Sequence, residues 1–123
     1  MPTEKQLLDT LSKIHDDIGG GFIAASMVDL ESGMTLAVKS VRSDFDLTAA
    51  SAYNSELVKQ KLKIMKTLGL NGTVEDMLIT ISDQIHLVKL IGGVTFLYLA
   101  VDRKMSNIAI VRTTVNKHVD KFV

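Results

Sequence analysis

Two runs of this chain, Phe22 to Leu30 and Val94 to Val101, are apolar on both of their alternating sets of side chains. A β-strand sends successive side chains to opposite faces. The first run sets Phe22, Ala24 and Val28 against Ile23, Ala25 and Met27; the second sets Phe96, Tyr98 and Ala100 against Leu97, Leu99 and Val101. A strand of this kind has to be covered on both sides, which excludes a sheet with one wet face. Two such strands imply helices above and below the sheet, a three-layer α/β/α sandwich.

The rest of the chain supplies the layers. Thr3 with Gln6 is a capping-box pattern, and Leu7, Leu8, Leu11, Ile14 and Ile18 recur at helical spacing, so a helix is expected from about Thr3 to Ile18. Gly19-Gly20-Gly21 stops it. After the first two-sided run, Glu31-Ser32-Gly33 leads into Met34 to Ser40, a hairpin pattern. There Met34, Leu36 and Val38 alternate with Thr35 and Lys39, as in an edge strand covered on one face by its apolar set. A long helix is expected from about Asp46 to Leu68, ended by Gly69. Val74 to Ser82, Ile85 to Ile91 and Val94 to Val101 read as strands, with Asp83-Gln84 and Gly92-Gly93 as turns. A last helix is expected from about Ser106, as N-cap, to Lys121, with Ile108, Val111, Val115, Val119 and Phe122 as its stripe. Its β-branched residues suit a strand, but the spacing decides for helix. The order is α-β-β-α-β-β-β-α, and hairpins make the sheet mostly antiparallel. The one proline is Pro2, and no linker or repeat interrupts the chain, so residues 1–123 read as a single domain.

Composition narrows the function classes. Lys plus Arg and Asp plus Glu are 14 each, a net charge of zero. Nucleic acid and anionic membrane surfaces both favour excess positive charge, so neither is expected as a partner. There is no cysteine, hence no disulfide, no Cys-ligated metal and no thiol nucleophile. The polar start Met1-Pro2-Thr3-Glu4-Lys5-Gln6 and the lack of a run near ~20 apolar residues lead to the expectation of a cytoplasmic protein without membrane insertion. Asn71-Gly72-Thr73 reads as a turn.

No pattern of residues suggests catalysis. The glycine triplet follows a helix and precedes a strand, the reverse of a phosphate loop. Neither Gly-x-Gly-x-x-Gly nor Gly-x-Ser-x-Gly occurs. His15, His86 and His118 lack the partners at helical spacing of a zinc site. His15 reads as part of a polar helix end and His118 as a packing residue; Asp83 fits either a pair with His86 across a bend or a turn role of its own. Asp44, Asp46, Glu75 and Asp76 lie near element ends, where capping suffices. The expectation is a non-enzyme with no catalytic, cofactor-binding or metal residue.

The long helix carries the informative feature. At about 100° per residue, Leu47, Ala50, Tyr53, Leu57, Val58, Leu62, Ile64, Met65 and Leu68 spread over half its circumference, with Asn54 and Lys61 set among them. The opposite arc is Thr48, Ser55, Glu56, Lys59, Lys63 and Lys66. One contact with a sheet needs a narrower stripe. The excess fits either a second partner or a helix sunk deep in its own core. The lysine stripe fits a solvated face or a docking surface for an acidic protein.

Three stretches together resemble the Roadblock/dynein light-chain domain family, and within it the small bacterial stand-alone members. They are Gly20-Gly21-Phe22-Ile23-Ala24-Ala25-Ser26-Met27-Val28-Asp29 with Gly33, an Asp-x-x-x-Gly turn; the long helix; and Phe96-Leu97-Tyr98-Leu99-Ala100-Val101-Asp102, followed by Ser106-Asn107-Ile108-Ala109 and Arg112. The resemblance covers nearly the whole chain and rests on order and lengths. It implies a five-stranded antiparallel sheet in order 2-1-5-4-3, the long helix on one face and the terminal helices on the other. It also implies a homodimer in which third strands pair edge to edge and long helices pack together. The interface residues would be Asn54, Leu57, Val58, Lys61, Met65, Met77, Ile79 and Ile81. It further implies a non-catalytic role, binding a Ras-like small GTPase and modulating its nucleotide cycle. Arg42 and Arg103 are the arginines that loop position offers to such a partner, although the resemblance implies no arginine finger. The alternatives are a structural adaptor of a larger complex without nucleotide sensing, or a small-molecule sensor.

Overall fold

Thr3 starts the first helix as its capping pattern requires. The Gln6 N–H donates to Thr3 Oγ1 (3.1 Å) and the Thr3 N–H donates to Gln6 Oε1 (2.8 Å), satisfying donors that a helix start leaves open. The computed structural model describes residues 2–122, and in it this helix, α1, is Glu4–Ile18. It is followed by β1 (Phe22–Asp29), β2 (Thr35–Ser40), α2 (Leu47–Thr67), β3 (Asp76–Thr80), β4 (Gln84–Ile91), β5 (Thr95–Asp102) and α3 (Ile108–Val119). The strands form one antiparallel sheet in order β2-β1-β5-β4-β3. Element order and antiparallel pairing are those expected from the sequence pattern, and the sheet order is the one the family resemblance implies.

Each sheet face has its own apolar core. On one side α1 and α3 bring Leu7, Leu11, Ile14, Val111 and Val115 against Met27, Leu87, Leu97, Leu99 and Val101. On the other, Leu47 and Val58 of α2 meet Val28, Val88, Phe96, Tyr98 and Ala100. β5 is two-sided as its residues dictate. In β1 a register shift between Phe22 and Ala24 breaks strict alternation. Phe22 therefore joins Ala25 and Met27 on the terminal-helix side, while Ile23 joins Ala24 and Val28 beneath α2.

The β1–β2 turn explains the Asp-x-x-x-Gly pattern. Asp29 Oδ2 accepts from the Ser32 N–H (3.0 Å) and Ser32 Oγ (2.6 Å), and the Gly33 N–H donates to Asp29 O (2.8 Å). The two Ser32 bonds, the side-chain one foremost, hold the Asp29 carboxyl below its usual range. Gly33 has φ 75°, and a Cβ there would lie 3.4 Å from Ala52 Cα, so the turn reaches α2 through a position suited to glycine.

Several local expectations need correction. In β2 the buried residue is Ala37, while Met34, Leu36 and Val38 are exposed. A second register shift, between Met27 and Val28, breaks the period of two in this strand. In α1, Leu8 is exposed and Thr10 is buried in its stead, its hydroxyl donating to Gln6 O (2.9 Å). The N-cap of α3 is Asn107, whose Oδ1 accepts from the Ile110 N–H (3.1 Å), one residue later than Ser106. Ser106 instead lies against Gly21, where any Cβ would sit 2.5 Å from its Oγ. Ile108 faces outward and Thr114 takes its share of the buried stripe. β3 is shorter than the run Val74 to Ser82.

Candidate functional site: a helix flank beside an open strand edge

The rotation of α2 is set by small polar residues. Asp46 caps it, Oδ1 accepting from the Ala49 N–H (3.0 Å). Beneath it the Ser51 and Ser26 hydroxyls are hydrogen-bonded (2.9 Å), and the Ser55 hydroxyl donates to Leu30 O. The Lys59 ammonium donates to Glu31 O. Ser51 and Ser55 are buried with Leu47 and Val58. Ser55 therefore belongs to the inner face and not to the solvated arc that apolar spacing assigns it.

The Ser55–Lys59 flank leans toward the β1–β2 turn, so the opposite flank leans toward β4 and β3. It carries Tyr53 (78% exposed), Leu57 (40%), Ile64 (40%) and Leu68 (67%). α2 packs chiefly on β1 and β2, which leaves the β3 margin of this face thinly covered. Met77 lies opposite Val88 and Ile79 opposite His86. Val88 and His86 in turn lie opposite Tyr98 and Ala100, which are in the core beneath α2. Met77, Ile79 and Ile81 thus share the α2 side. Ile79 and Ile81 are exposed and Met77 is half-buried.

β3 is also an open sheet edge. The Leu90 N–H donates to Glu75 O (3.2 Å) and the Ile81 N–H donates to Gln84 O (3.0 Å). Alternation in an antiparallel ladder then turns the backbone groups of Met77 and Ile79 toward β4 and those of Asp76, Leu78 and Thr80 outward. The edge is clamped from the other face. Arg112 of α3 grips Asp76 with Nε to Oδ2 (3.0 Å) and Nη2 to Oδ1 (2.9 Å), a geometry only a guanidinium offers.

The eight residues expected at an interface fall into different places. Leu57, Lys61, Ile79 and Ile81 are exposed on the α2 side. Asn54 is half-buried and donates Nδ2–H to Ala50 O (2.7 Å) of its own helix. Met65 and Met77 are half-buried, and Met77 packs on its own core. Val58 is fully buried in that core and has no area to give a partner. α2 therefore buries one side in its own core and leaves an apolar flank exposed.

The site also contains His86, which the sequence pattern did not place at this surface. His86 Nε2 is 2.8 Å from Gln84 Oε1, and His86 Nδ1 is 3.2 Å from Tyr98 Oη. An amide oxygen only accepts, so Nε2 carries the proton and Nδ1 accepts from the phenol. Phe45 lies edge-on to the imidazole, centroids 6.3 Å apart. Burial pushes the Tyr98 phenol up to about 12. Burial also lowers the His86 pKa, with Asp83 opposing the shift. The bend-spanning Asp83–His86 pair is thus replaced by Gln84 and Tyr98. The alternation Gln84, His86, Val88, Leu90 is the signal that puts His86 beneath this surface. The other histidines lie elsewhere: His15 stacks on Phe22 at 4.4 Å, and His118 Nε2 is 2.6 Å from Asp17 Oδ2, a hydrogen bond where packing alone was expected. Arg42 is exposed, and Arg103 Nη1 donates to Ile81 O (3.4 Å).

No group of three or more His, Cys, Asp or Glu among the described residues is arranged to hold a metal. No helix among them is long and apolar enough to cross a membrane. A cleft of about 470 Å³ opens on the terminal-helix side, with Leu7, Met27, Leu36, Ile91, Val94 and Phe122 in its wall. Among the described residues Glu4 and Thr95 are its only polar side chains, fewer convergent groups than small-ligand sites use for orientation.

No family model and no curated protein matches this sequence. Solved structures do match. Myxococcus xanthus MglB aligns with a TM-score of 0.87 at 14% identity, over 98% of this chain and 87% of that one. A Roadblock/LC7 domain from Streptomyces avermitilis aligns with a TM-score of 0.76 at 14% identity, over 98% and 94%. MglB with a tetrameric arrangement aligns with a TM-score of 0.78 at 14% identity, over 98% and 92%. At this identity the likeness is one of fold: the chain has the Roadblock/LC7 fold from its first helix to its last.

Proposed function

We propose that this chain is a non-catalytic homodimeric regulator or scaffold that binds a Ras-like small GTPase and modulates its nucleotide cycle. The observation that carries the reading is the apolar flank of α2, with Tyr53, Leu57 and Ile64 exposed, beside the open β3 edge with Ile79 and Ile81. An exposed apolar patch next to an unpaired strand is a hazard unless something covers it. A second copy covers both at once, because a two-fold axis at β3 joins edge to edge and brings the α2 flanks together. The tetrameric arrangement of MglB supports self-association in a protein of this fold. The GTPase partner rests on the role that the Roadblock resemblance implies. The cysteine-free composition of this chain fits a reducing cytoplasm as its setting.

The test is affinity capture from native lysate with tagged protein, with GDP and with a non-hydrolysable GTP analogue. The reading predicts a small GTPase enriched in one nucleotide state. Partners bound equally in both states would contradict it in favour of a structural adaptor.

A further inference from the structure

We propose that His86 makes self-association of this chain through the α2–β3 surface sensitive to acid, the dimer forming with neutral His86 and loosening when the ring takes up a proton. The inference rests on the homodimer reading above and adds its regulation.

The geometry fixes the neutral tautomer from both ends. Gln84 Oε1 takes the Nε2 proton and the Tyr98 hydroxyl donates to Nδ1. Tyr98 is 1% exposed, and among the described residues its hydroxyl has no other hydrogen-bond partner. A second proton on the ring would set an N–H against an O–H. The phenol would have to turn into an apolar core that offers it nothing, and a buried donor left without an acceptor is costly. The added charge would also stand beside Phe45 and in line with Ile79, within the patch a second copy has to cover.

The charges around His86 do not offset this. β5 contributes the Tyr98 phenol, which burial keeps neutral. The turn before β4 contributes the Asp83 carboxylate, which favours the imidazolium but less strongly than burial opposes it. β3 contributes Ile79 and the segment before α2 contributes Phe45, neither of which titrates. No α2 charge bears on the ring among the described residues. The sign follows from linkage. His86 has its pKa lowered on folding, and a covering partner removes more of its water. The dimer then binds fewer protons than two free protomers, so association weakens as pH falls. Where only the neutral form associates, two protons per dimer raise Kd by up to about 100-fold for each pH unit below the free protomer's His86 titration.

Sedimentation equilibrium of the full chain from about pH 7.5 to about pH 5, with circular dichroism confirming the fold at each pH, tests this. The expected result is a Kd that rises steeply on acidification in the wild type and stays nearly flat in His86→Gln. Tyr98→Phe removes the opposing donor and moves the rise to higher pH, which keeps the proposal testable if the glutamine variant folds poorly. A wild-type dimer whose Kd does not change, or an equal rise in His86→Gln, overturns the His86 role and leaves the dimer standing. A chain that is monomeric at every pH overturns the homodimer reading and this inference together.

Discussion

The Ser55 hydroxyl donates to Leu30 O from beneath α2, and Gly33 lies under the same helical turn. These contacts, with the Ser51–Ser26 bond, set how the helix is rotated on the sheet. Hydrophobic spacing shows how much of α2 is apolar, but it centres the inner face on the apolar arc. The true inner face is rotated toward Ser51 and Ser55, because small hydroxyls fit close to β1 and find partners there. That rotation buries Val58 and exposes Tyr53 and Leu57. It was not legible in the sequence, since a serine counts as polar until its partner is known. Ser55→Ala should lower stability by about 1–3 kcal/mol, because Leu30 O is left buried without its donor. Urea denaturation of variant and wild type measures it, and a loss near zero would mean that the hydroxyl does not anchor the helix.

Elements were more legible than their details. Every α-helix and strand was readable from periodicity and turn residues, and the two-sided character of β1 and β5 placed them inside the sheet. What the period of two could not show were the register shifts. One moves Phe22 to the terminal-helix side, and the other leaves Met34, Leu36 and Val38 without the covered face that alternation assigned them. A shift inserts one residue with no mark in composition. The α3 cap moved from Ser106 to Asn107 for a similar reason: both residues suit the position, and the packing of Ser106 on Gly21 decides between them. At the β3 edge, Ile79→Asp places a charge where an apolar contact is proposed. It should convert the dimer to monomer or aggregate in size-exclusion chromatography with light scattering. A well-folded dimer of this variant would rule out the proposed strand pairing.

For the whole molecule, the sheet order and the two cores account for nearly all of the buried apolar side chains. The apolar side chains they leave exposed include the α2 flank and Ile79 and Ile81 at β3, and also Met34, Leu36 and Val38 at the β2 edge and Ile108 and Ile110 at the start of α3. The candidate site was half legible: Leu57, Lys61, Ile79 and Ile81 stand on the exposed surface, Val58 does not, and His86 was visible only through strand register. In the proposed dimer a second copy completes the sheet at β3. The Asp76, Leu78 and Thr80 amides point outward, so a two-fold axis at Leu78 pairs Leu78 with its own copy and Asp76 with Thr80 of the other. Amide hydrogen exchange by NMR at high and low protein concentration reads this directly. The Asp76, Leu78 and Thr80 amides are expected to be protected when concentrated and to exchange freely when diluted, while Ile79 and Ile81, bonded to β4, stay protected at both. Fast exchange of Leu78 at every concentration would contradict it.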